Sequence, residues 1–182
     1  MKYVPNAITL LRLLMVPVFA ALYFSGNQNA KIYALAVFLA AGLTDVIDGY
    51  LARKYDVVSV IGIVFDPLAD KTMQLTALAC LAFNRVIPLW TFWVMLVIEG
   101  ALILAGIYLY FNLEKDVVPA GKLGKAATVL FAAAVSMMIL IPDHPLTWIV
   151  FWTALSAKAI SFTNYLKGFI KNSRPERNSE GK

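Results

Sequence analysis

The stretch DVIDGYLARKYDVVSVIGIVFDPLAD, from Asp45 to Asp70, places four aspartates in a chain that is otherwise largely apolar. They are Asp45, Asp48, Asp66 and Asp70, and each lies inside or beside a hydrophobic run. A charged carboxylate at the centre of a bilayer costs roughly 2.5–3.5 kcal/mol even on the scale derived from insertion experiments. Four such groups therefore indicate a function that compensates their charge.

The composition of the whole chain is that of a membrane protein. Of its 182 residues 60% are hydrophobic, and the mean hydropathy is +0.73, whereas soluble domains average about 45–50% apolar residues. No strand-like alternation is seen, which favours helices over a barrel. Most apolar stretches approach the ~20 residues that a spanning helix needs, and six are apparent: 7–25, 32–51, 60–83, 86–111, 126–142 and 146–166. We therefore predict an all-α integral membrane protein with six transmembrane helices, in which residues 1–170 form one membrane domain and 171–182 a polar basic C-terminal tail.

The net charge of +5 is distributed unevenly between the two sides that six spans create. One side carries only Lys31 and Arg85 in its connections. The other side carries Lys2, Arg53, Lys54, Lys115, Lys122, Lys125, Lys167, Lys171, Arg174, Arg177 and Lys182. Because basic residues favour the cytoplasmic side, we expect both termini in the cytoplasm. The basic tail has no interleaved aromatic residues for base stacking, so we expect contacts with anionic lipid headgroups and no nucleic-acid partner.

Several kinds of site are disfavoured by the residue counts. Cys80 is the single cysteine, so an internal disulfide and a cysteine-rich metal site are excluded. His144 is the single histidine and lies in a short turn between Pro142 and Pro145, where a loop role is favoured over that of a general base. The chemistry of this chain must therefore come from its carboxylates and its basic residues.

The four aspartates form two stripes on neighbouring helices. At about 100° per residue, Asp45 and Asp48 share one helical face one turn apart, and Asp66 and Asp70 share another. If the connection after Lys54 folds the two helices antiparallel, the stripes face each other near the cytoplasmic end. Oxygen-only ligands of this kind suit Mg²⁺, Mn²⁺ or Ca²⁺ better than Zn²⁺, and paired divalent ions are a common device for phosphoryl transfer.

Glycine and arginine residues interleave with these carboxylates in a recognisable pattern. Gly49 and Gly62 leave room for a phosphate, and Arg53 can pair with its oxygens. The pattern Asp45-x2-Asp48-Gly49-x2-Ala52-Arg53-x8-Gly62-x3-Asp66-x3-Asp70 resembles the signature of the CDP-alcohol phosphatidyltransferase family at every fixed position. We identify the chain by this resemblance as a member of that family, whose enzymes displace CMP from a CDP-linked lipid with the hydroxyl of an acceptor alcohol.

The resemblance implies a fold, a cofactor and a set of roles. Family members are six-helix membrane enzymes, commonly homodimers, with a polar active-site cavity open to the cytoplasm; for this chain that implies the inner membrane of a bacterial-type cell. The same resemblance implies two Mg²⁺ (or Mn²⁺) ions on the four aspartates, with Asp70 also acting as general base beside Asp66. It further implies that CDP-diacylglycerol is held by Asn6, Thr9, Gly49, Arg53 and Ser59.

The acceptor is the least determined part of this prediction. The segments FDPLADK (Phe65 to Lys71) and GKLGKAAT (Gly121 to Thr128) most resemble bacterial enzymes that make phosphatidylglycerolphosphate from glycerol 3-phosphate. Those enzymes usually carry Arg, Lys and Gln where this chain has Ile98, Ala127 and Phe131. A cardiolipin synthase of the same family, with phosphatidylglycerol as acceptor, is therefore kept as an alternative.

Three further residues are candidates for the acceptor site. Lys122 and Lys125 suit an acceptor phosphate, although topology alone also accounts for lysines at this place. Glu99 is an acid inside an apolar stretch, which suggests either acceptor binding or a structural partner such as Lys71, Arg12 or Lys158.

A small cation transporter is a distant alternative for the function of the protein. Gly49, Arg53 and Gly62 have no role in an ion path, and no inverted repeat is evident.

Overall fold

The computed structural model describes residues 4–55, 60–112 and 122–173, with side chains in 9–44, 47, 68–108 and 123–168. The described residues form helices and contain no strand, so the prediction of an all-α protein is confirmed. The helices are α1 (Val4–Tyr23), α2 (Ala30–Tyr55), α3 (Val60–Phe83), α4 (Leu89–Asn112), α5 (Lys122–Leu140) and α6 (Pro145–Ser173). The predicted Ser59 contact lies outside the described residues, and so does the tail beyond Ser173.

Three of the described helices are long and apolar enough to cross a membrane. Their apolar segments are Leu89–Tyr108, Leu123–Leu140 and Pro145–Gly168, and α1 and α2 contain the shorter apolar segments Thr9–Tyr23 and Ala30–Thr44. Large apolar side chains cover the outside of the bundle; Leu104 and Val129, for example, are 69% and 72% exposed. Because soluble monomers rarely expose contiguous apolar surface on this scale, we interpret the chain as a membrane protein.

The core lies where α1 packs against α2 and α3, and where α5 packs against α6. Phe19 of α1 is fully buried and contacts Phe38 of α2, with ring centroids 6.1 Å apart. Ala34 and Ala41 on α2 are also buried. Small residues at such positions allow two helix backbones to approach closely, which is the usual basis of helix packing in membranes.

A residue in the left-handed conformation follows the end of α3. Arg85 has a φ of 58°, and the N–H of Val86 donates to the carbonyl of Leu81 at 2.9 Å. This bond satisfies an otherwise unpaired carbonyl at the helix end, as in a Schellman motif, where glycine is usual because it has no Cβ. The chain can then turn sharply into α4.

The turn between α5 and α6 lies at this same end of the bundle. The Oγ1 of Thr147 donates to the carbonyl of Ile141 at 2.8 Å, and the N–H of Leu146 donates to Nδ1 of His144 at 3.2 Å. His144 thus caps the start of α6, which agrees with the loop role expected for it. Stacked tryptophans join α4 to α6 nearby, with the rings of Trp90 and Trp152 5.6 Å apart.

Candidate active site

The helices that carry the predicted metal ligands are neighbours. Asp45 and Asp48 belong to α2, Asp66 and Asp70 to α3, and the two helices contact each other while α1 contacts both. The two helices that carry the predicted aspartate stripes are therefore adjacent, as the prediction of a shared site requires. Asp70 is described with its side chain; the side chains of Asn6, Asp45, Asp48, Gly49, Arg53, Asp66 and Lys122 lie outside the described part, so their roles stay predictions.

Asp70 lies near the middle of α3 with a quarter of its side chain exposed. Its two carboxylate oxygens each accept from Nε2 of Gln74, one turn further along the helix, at 3.0 Å. The ammonium of Lys71 lies 3.7 Å from Oδ2. Asp70 is thus oriented by a neutral donor and a cation and still reaches accessible space, as a proton acceptor or a metal ligand must.

The Glu99 carboxylate is completely buried between two lysines. Its Oε2 lies 2.9 Å from Nζ of Lys71, and its Oε1 accepts from Nζ of Lys158 at 2.7 Å. Lys71 and Lys158 were among the structural partners considered for Glu99, and the structure brings both to it. With this pairing an acid is stabilised inside an apolar bundle, because an unpaired buried charge is very costly.

These contacts close into one continuous network. Lys158 also donates to Oε1 of Gln74 at 3.3 Å, so the network returns to Asp70. We call Asp70, Lys71, Gln74, Glu99 and Lys158 the polar ring. It links α3, α4 and α6, and its two carboxylates balance its two ammonium groups.

Two polar residues of α1 are buried inside the bundle. Thr9, a predicted contact of the CDP moiety, is 3% exposed, and Arg12 is 1% exposed. A guanidinium buried inside the bundle is not snorkelling to a lipid surface. Arg12 therefore adds a fixed positive charge to α1, the helix that contacts both aspartate-bearing helices.

The acceptor candidates on α5 differ in what surrounds them. Lys125 lies in the first turn of α5 and is exposed. Ile98, Ala127 and Phe131 are buried, and the ring of Phe131 lies 5.4 Å from Nζ of Lys158. These three positions thus belong to the packed interior, and the ring of Phe131 packs beside the ammonium group of Lys158.

The donor set that the sequence predicts for a metal ion consists of carboxylate oxygens only. Asp70 offers carboxylate oxygens that are partly accessible, and the aspartates that the sequence adds to it are also oxygen donors. Such a set suits Mg²⁺ or Mn²⁺.

An open groove elsewhere on the surface, lined by Phe83, Arg85 and Trp148 among others, lies at the far end of α3 and is too remote from Asp70 to belong to this site.

Gln74 is the site residue that the sequence interpretation missed. It continues the four-residue spacing of Gly62, Asp66 and Asp70 by one more turn, and this periodicity was the available signal. An uncharged side chain draws little attention beside four aspartates, yet a glutamine inside an apolar helix also needs partners for its amide.

Comparison with known proteins gives the family. The family model for CDP-alcohol phosphatidyltransferase matches residues 2–160. A CDP-diacylglycerol–glycerol-3-phosphate 3-phosphatidyltransferase of Rickettsia typhi is 34% identical over 143 residues, which are 77% of this chain and 78% of that protein. A probable phosphatidylglycerophosphate synthase of Mycobacterium tuberculosis is 34% identical over 173 residues, which are 92% of this chain and 81% of that protein.

A further relative matches a shorter part of the chain. A cardiolipin synthase (CMP-forming) / mitochondrial hydrolase fusion protein of Schizosaccharomyces pombe is 47% identical over 85 residues, which are 47% of this chain and 14% of that protein. The family match, by contrast, extends over most of the chain, and the prediction of an enzyme is confirmed. This protein belongs to the CDP-alcohol phosphatidyltransferase family and is a transferase.

Proposed function

We propose that this protein transfers the phosphatidyl group of CDP-diacylglycerol to glycerol 3-phosphate, giving phosphatidylglycerolphosphate and CMP in phospholipid biosynthesis. The observation that carries the proposal is the similarity to proteins of that name along most of both chains, at 34% identity for the Rickettsia typhi relative. The similarity to the Mycobacterium tuberculosis protein, over 92% of this chain, supports the same product.

The chemistry needs one proton acceptor and a good leaving group. The acceptor hydroxyl oxygen forms a bond to the phosphorus that carries the diacylglycerol, and the bond from that phosphorus to the bridging oxygen breaks. CMP leaves with the bridging oxygen, and the hydroxyl proton passes to the carboxylate of Asp70. A positioned base of this kind contributes about 10²–10⁴-fold to a rate, and the orientation of both substrates contributes much of the remainder.

The carboxylates of α2 and α3 would hold the cofactor. Asp45, Asp48, Asp66 and Asp70 are the proposed ligands of two Mg²⁺ (or Mn²⁺) ions. When bound, these ions supply positive charge that neutralises the pyrophosphate and the departing phosphate of CMP. The oxygen-only donor set and the contact between the two helices support this assignment.

The CDP end of the donor lipid would lie between α1 and α2. Asn6 and Thr9 belong to α1, and Gly49 and Arg53 to α2, while Ser59 precedes α3 in sequence. The burial of Thr9 where α1 packs on its neighbours supports a role inside the bundle. The guanidinium group of Arg53 can donate two parallel hydrogen bonds to phosphate oxygens.

We further propose a multi-pass protein of the bacterial inner membrane with six spans and both termini in the cytoplasm. The described helices have 19 to 29 residues each, and the sequence assigns most of the basic residues to one side of the six predicted spans. The acyl chains of the donor would remain in lipid while its headgroup enters a cytoplasmic cavity. A homodimer is proposed from the family resemblance.

A cardiolipin synthase, with phosphatidylglycerol as acceptor, is the second candidate. It is favoured by the 47% identity to the Schizosaccharomyces pombe fusion protein and by the buried apolar side chains of Ile98, Ala127 and Phe131, which offer no group to a free phosphate. In the first candidate the acceptor phosphate would instead meet Lys122 and Lys125.

The test is CMP release by purified protein in detergent with CDP-diacylglycerol and Mg²⁺. Glycerol 3-phosphate, phosphatidylglycerol, inositol 1-phosphate and serine are supplied separately. Release with glycerol 3-phosphate is the expected result. Release with phosphatidylglycerol alone would move the assignment to cardiolipin synthesis, and no release with any acceptor would refute both.

A further inference from the structure

Gln74 joins a carboxylate to an ammonium group through the two ends of one amide. Its Nε2 donates to both oxygens of Asp70 at 3.0 Å, and its Oε1 accepts from Lys158 at 3.3 Å. The orientation of the amide is fixed by its partners, because a carboxylate accepts hydrogen bonds and an ammonium group donates them. A rotated amide would lose contacts at both ends.

Lys158 is itself held on several sides. It donates to Glu99 at 2.7 Å, lies over the ring of Phe131 at 5.4 Å, and is 5% exposed. A lysine fixed in this way cannot release the amide of Gln74 without leaving a buried charge short of partners. The orientation of Gln74 is therefore determined by α4, α5 and α6 as well as by its own helix.

We propose that Gln74 and Lys158 are positioning residues that hold the carboxylate of Asp70 in its reactive orientation. The proposal rests on the proposed function, in which Asp70 accepts the proton and binds a metal ion. Gln74 restrains both oxygens of a group that is otherwise a quarter exposed. A reacting carboxylate gains from such restraint because reactive geometry is then present before the substrate arrives.

The polar ring could instead have a purely structural role, which is to balance charge inside the bundle. Two substitutions of Gln74 distinguish that role from the positioning of Asp70. Gln74→Met removes both amide contacts while nearly conserving volume. Gln74→Glu keeps an oxygen for Lys158 but sets a second carboxylate against Asp70. If the ring only balances charge inside the bundle, the neutral Gln74→Met should retain activity and Gln74→Glu should lose it, because the added carboxylate upsets that balance. If the ring positions Asp70, both variants should lose activity.

The experiment measures kcat and KM for CMP release by the full-length protein in detergent. Gln74→Met is expected to lower kcat about 10–100-fold, as is usual when a partner of a metal-binding or reacting group is removed, with KM for CDP-diacylglycerol nearly unchanged. Gln74→Glu should lose at least as much. The control is Met73→Leu, a buried and volume-conserving change on the same helix, which should keep the wild-type kcat. An unchanged kcat in Gln74→Met or Gln74→Glu overturns the proposal.

A second measurement is independent of turnover. Mn²⁺ binding without substrate, followed by the paramagnetic resonance of the free ion, should weaken about 10-fold in Gln74→Met. Equal Mn²⁺ affinity in wild type and Gln74→Met overturns the proposal even where kcat falls, because the loss would then arise elsewhere. If the wild-type protein releases no CMP, the proposed function fails, and the Mn²⁺ comparison alone decides about positioning.

Discussion

Lys158 Nζ lies 2.7 Å from Glu99 Oε1, so α6 is tied to α4 by an ion pair in which neither side chain is more than 5% exposed. Glu99 is also paired with Lys71 of α3 at 2.9 Å. Buried ion pairs often add little net stability, but removing one partner of such a pair typically costs about 3–5 kcal/mol. The consequences of this asymmetry can be measured directly.

Glu99→Leu should lower the free energy of unfolding by about 3 kcal/mol, at the low end of that range, because Lys71 keeps Asp70 nearby and is partly exposed. The double variant Glu99→Leu with Lys158→Met should be at least about 1 kcal/mol more stable than Glu99→Leu, since one buried charge is then removed. Denaturant unfolding in detergent, followed by circular dichroism, provides both values. A double variant less stable than Glu99→Leu would contradict this account.

Asp70→Asn should reduce CMP release by about 10²–10⁴-fold, because asparagine is nearly the same size but cannot accept the proton. The control is Asp143→Asn, which changes an exposed carboxylate in the turn before α6. That variant should keep the wild-type rate. Comparable rates for Asp70→Asn and the wild type would remove Asp70 from the chemistry.

Removal of divalent metal should abolish CMP release. Without cations the aspartates of α2 and α3 repel the pyrophosphate as well as one another. The measurement is turnover after EDTA treatment and gel filtration, followed by titration with Mg²⁺ or Mn²⁺, either of which should restore the rate. Zn²⁺ serves as the comparison, because an oxygen-only site favours it less. Full activity in EDTA would disprove a metal-dependent mechanism.

Lys125→Met should raise KM for glycerol 3-phosphate about 10-fold, an effect equal to about 1.4 kcal/mol of lost binding, with KM for CDP-diacylglycerol unchanged. Lys125 is exposed in the first turn of α5, where its ammonium group is available to an acceptor phosphate. Lys31→Met is the matched control, because Lys31 is also exposed but lies near the start of α2, at the opposite end of the bundle. Equal KM values for glycerol 3-phosphate in the two variants would contradict acceptor binding by Lys125 and would leave it the role of fixing the orientation of the protein in the membrane.

Arg85→Gly should stabilise the protein by about 0.5–1 kcal/mol. Arg85 adopts a φ of 58°, a left-handed conformation that glycine adopts without the steric penalty of a Cβ. Arg85→Ala is the control, since it removes the charge but keeps the Cβ, and it should bring no gain. The midpoint of thermal unfolding in detergent measures both, and a gain in Arg85→Ala equal to that in Arg85→Gly would assign the effect to charge.

The helices were predictable because hydropathy is a property of contiguous sequence. The stretch 60–83 coincides with α3, whereas α2 extends beyond its predicted end at 51 to Tyr55, and α6 extends to Ser173. Hydropathy reports the part of a helix that matches lipid, but backbone hydrogen bonds continue through polar residues such as Lys54. The helix ends were therefore the weaker part of the prediction.

The polar ring was only partly predictable, because it depends on which helices meet. The sequence proposed Lys71, Arg12 and Lys158 as partners of Glu99, and the choice among them required the packing of α3, α4 and α6. Gln74 has no charge to draw attention to it, and its role follows from two neighbours, one of which lies far away in sequence. Spacing predicts which residues share a face, but it does not predict what faces them.

The position of Lys158 on the last helix also bears on how the protein is made. While the chain is still being synthesised, Glu99 enters the bilayer with Lys71 as the partner already present, and Lys158 follows when α6 emerges from the ribosome. Glu99 therefore has both of its lysine partners only after α6 has inserted. A product truncated before α6 would lack Lys158 and would retain an acid that is paired on one side alone.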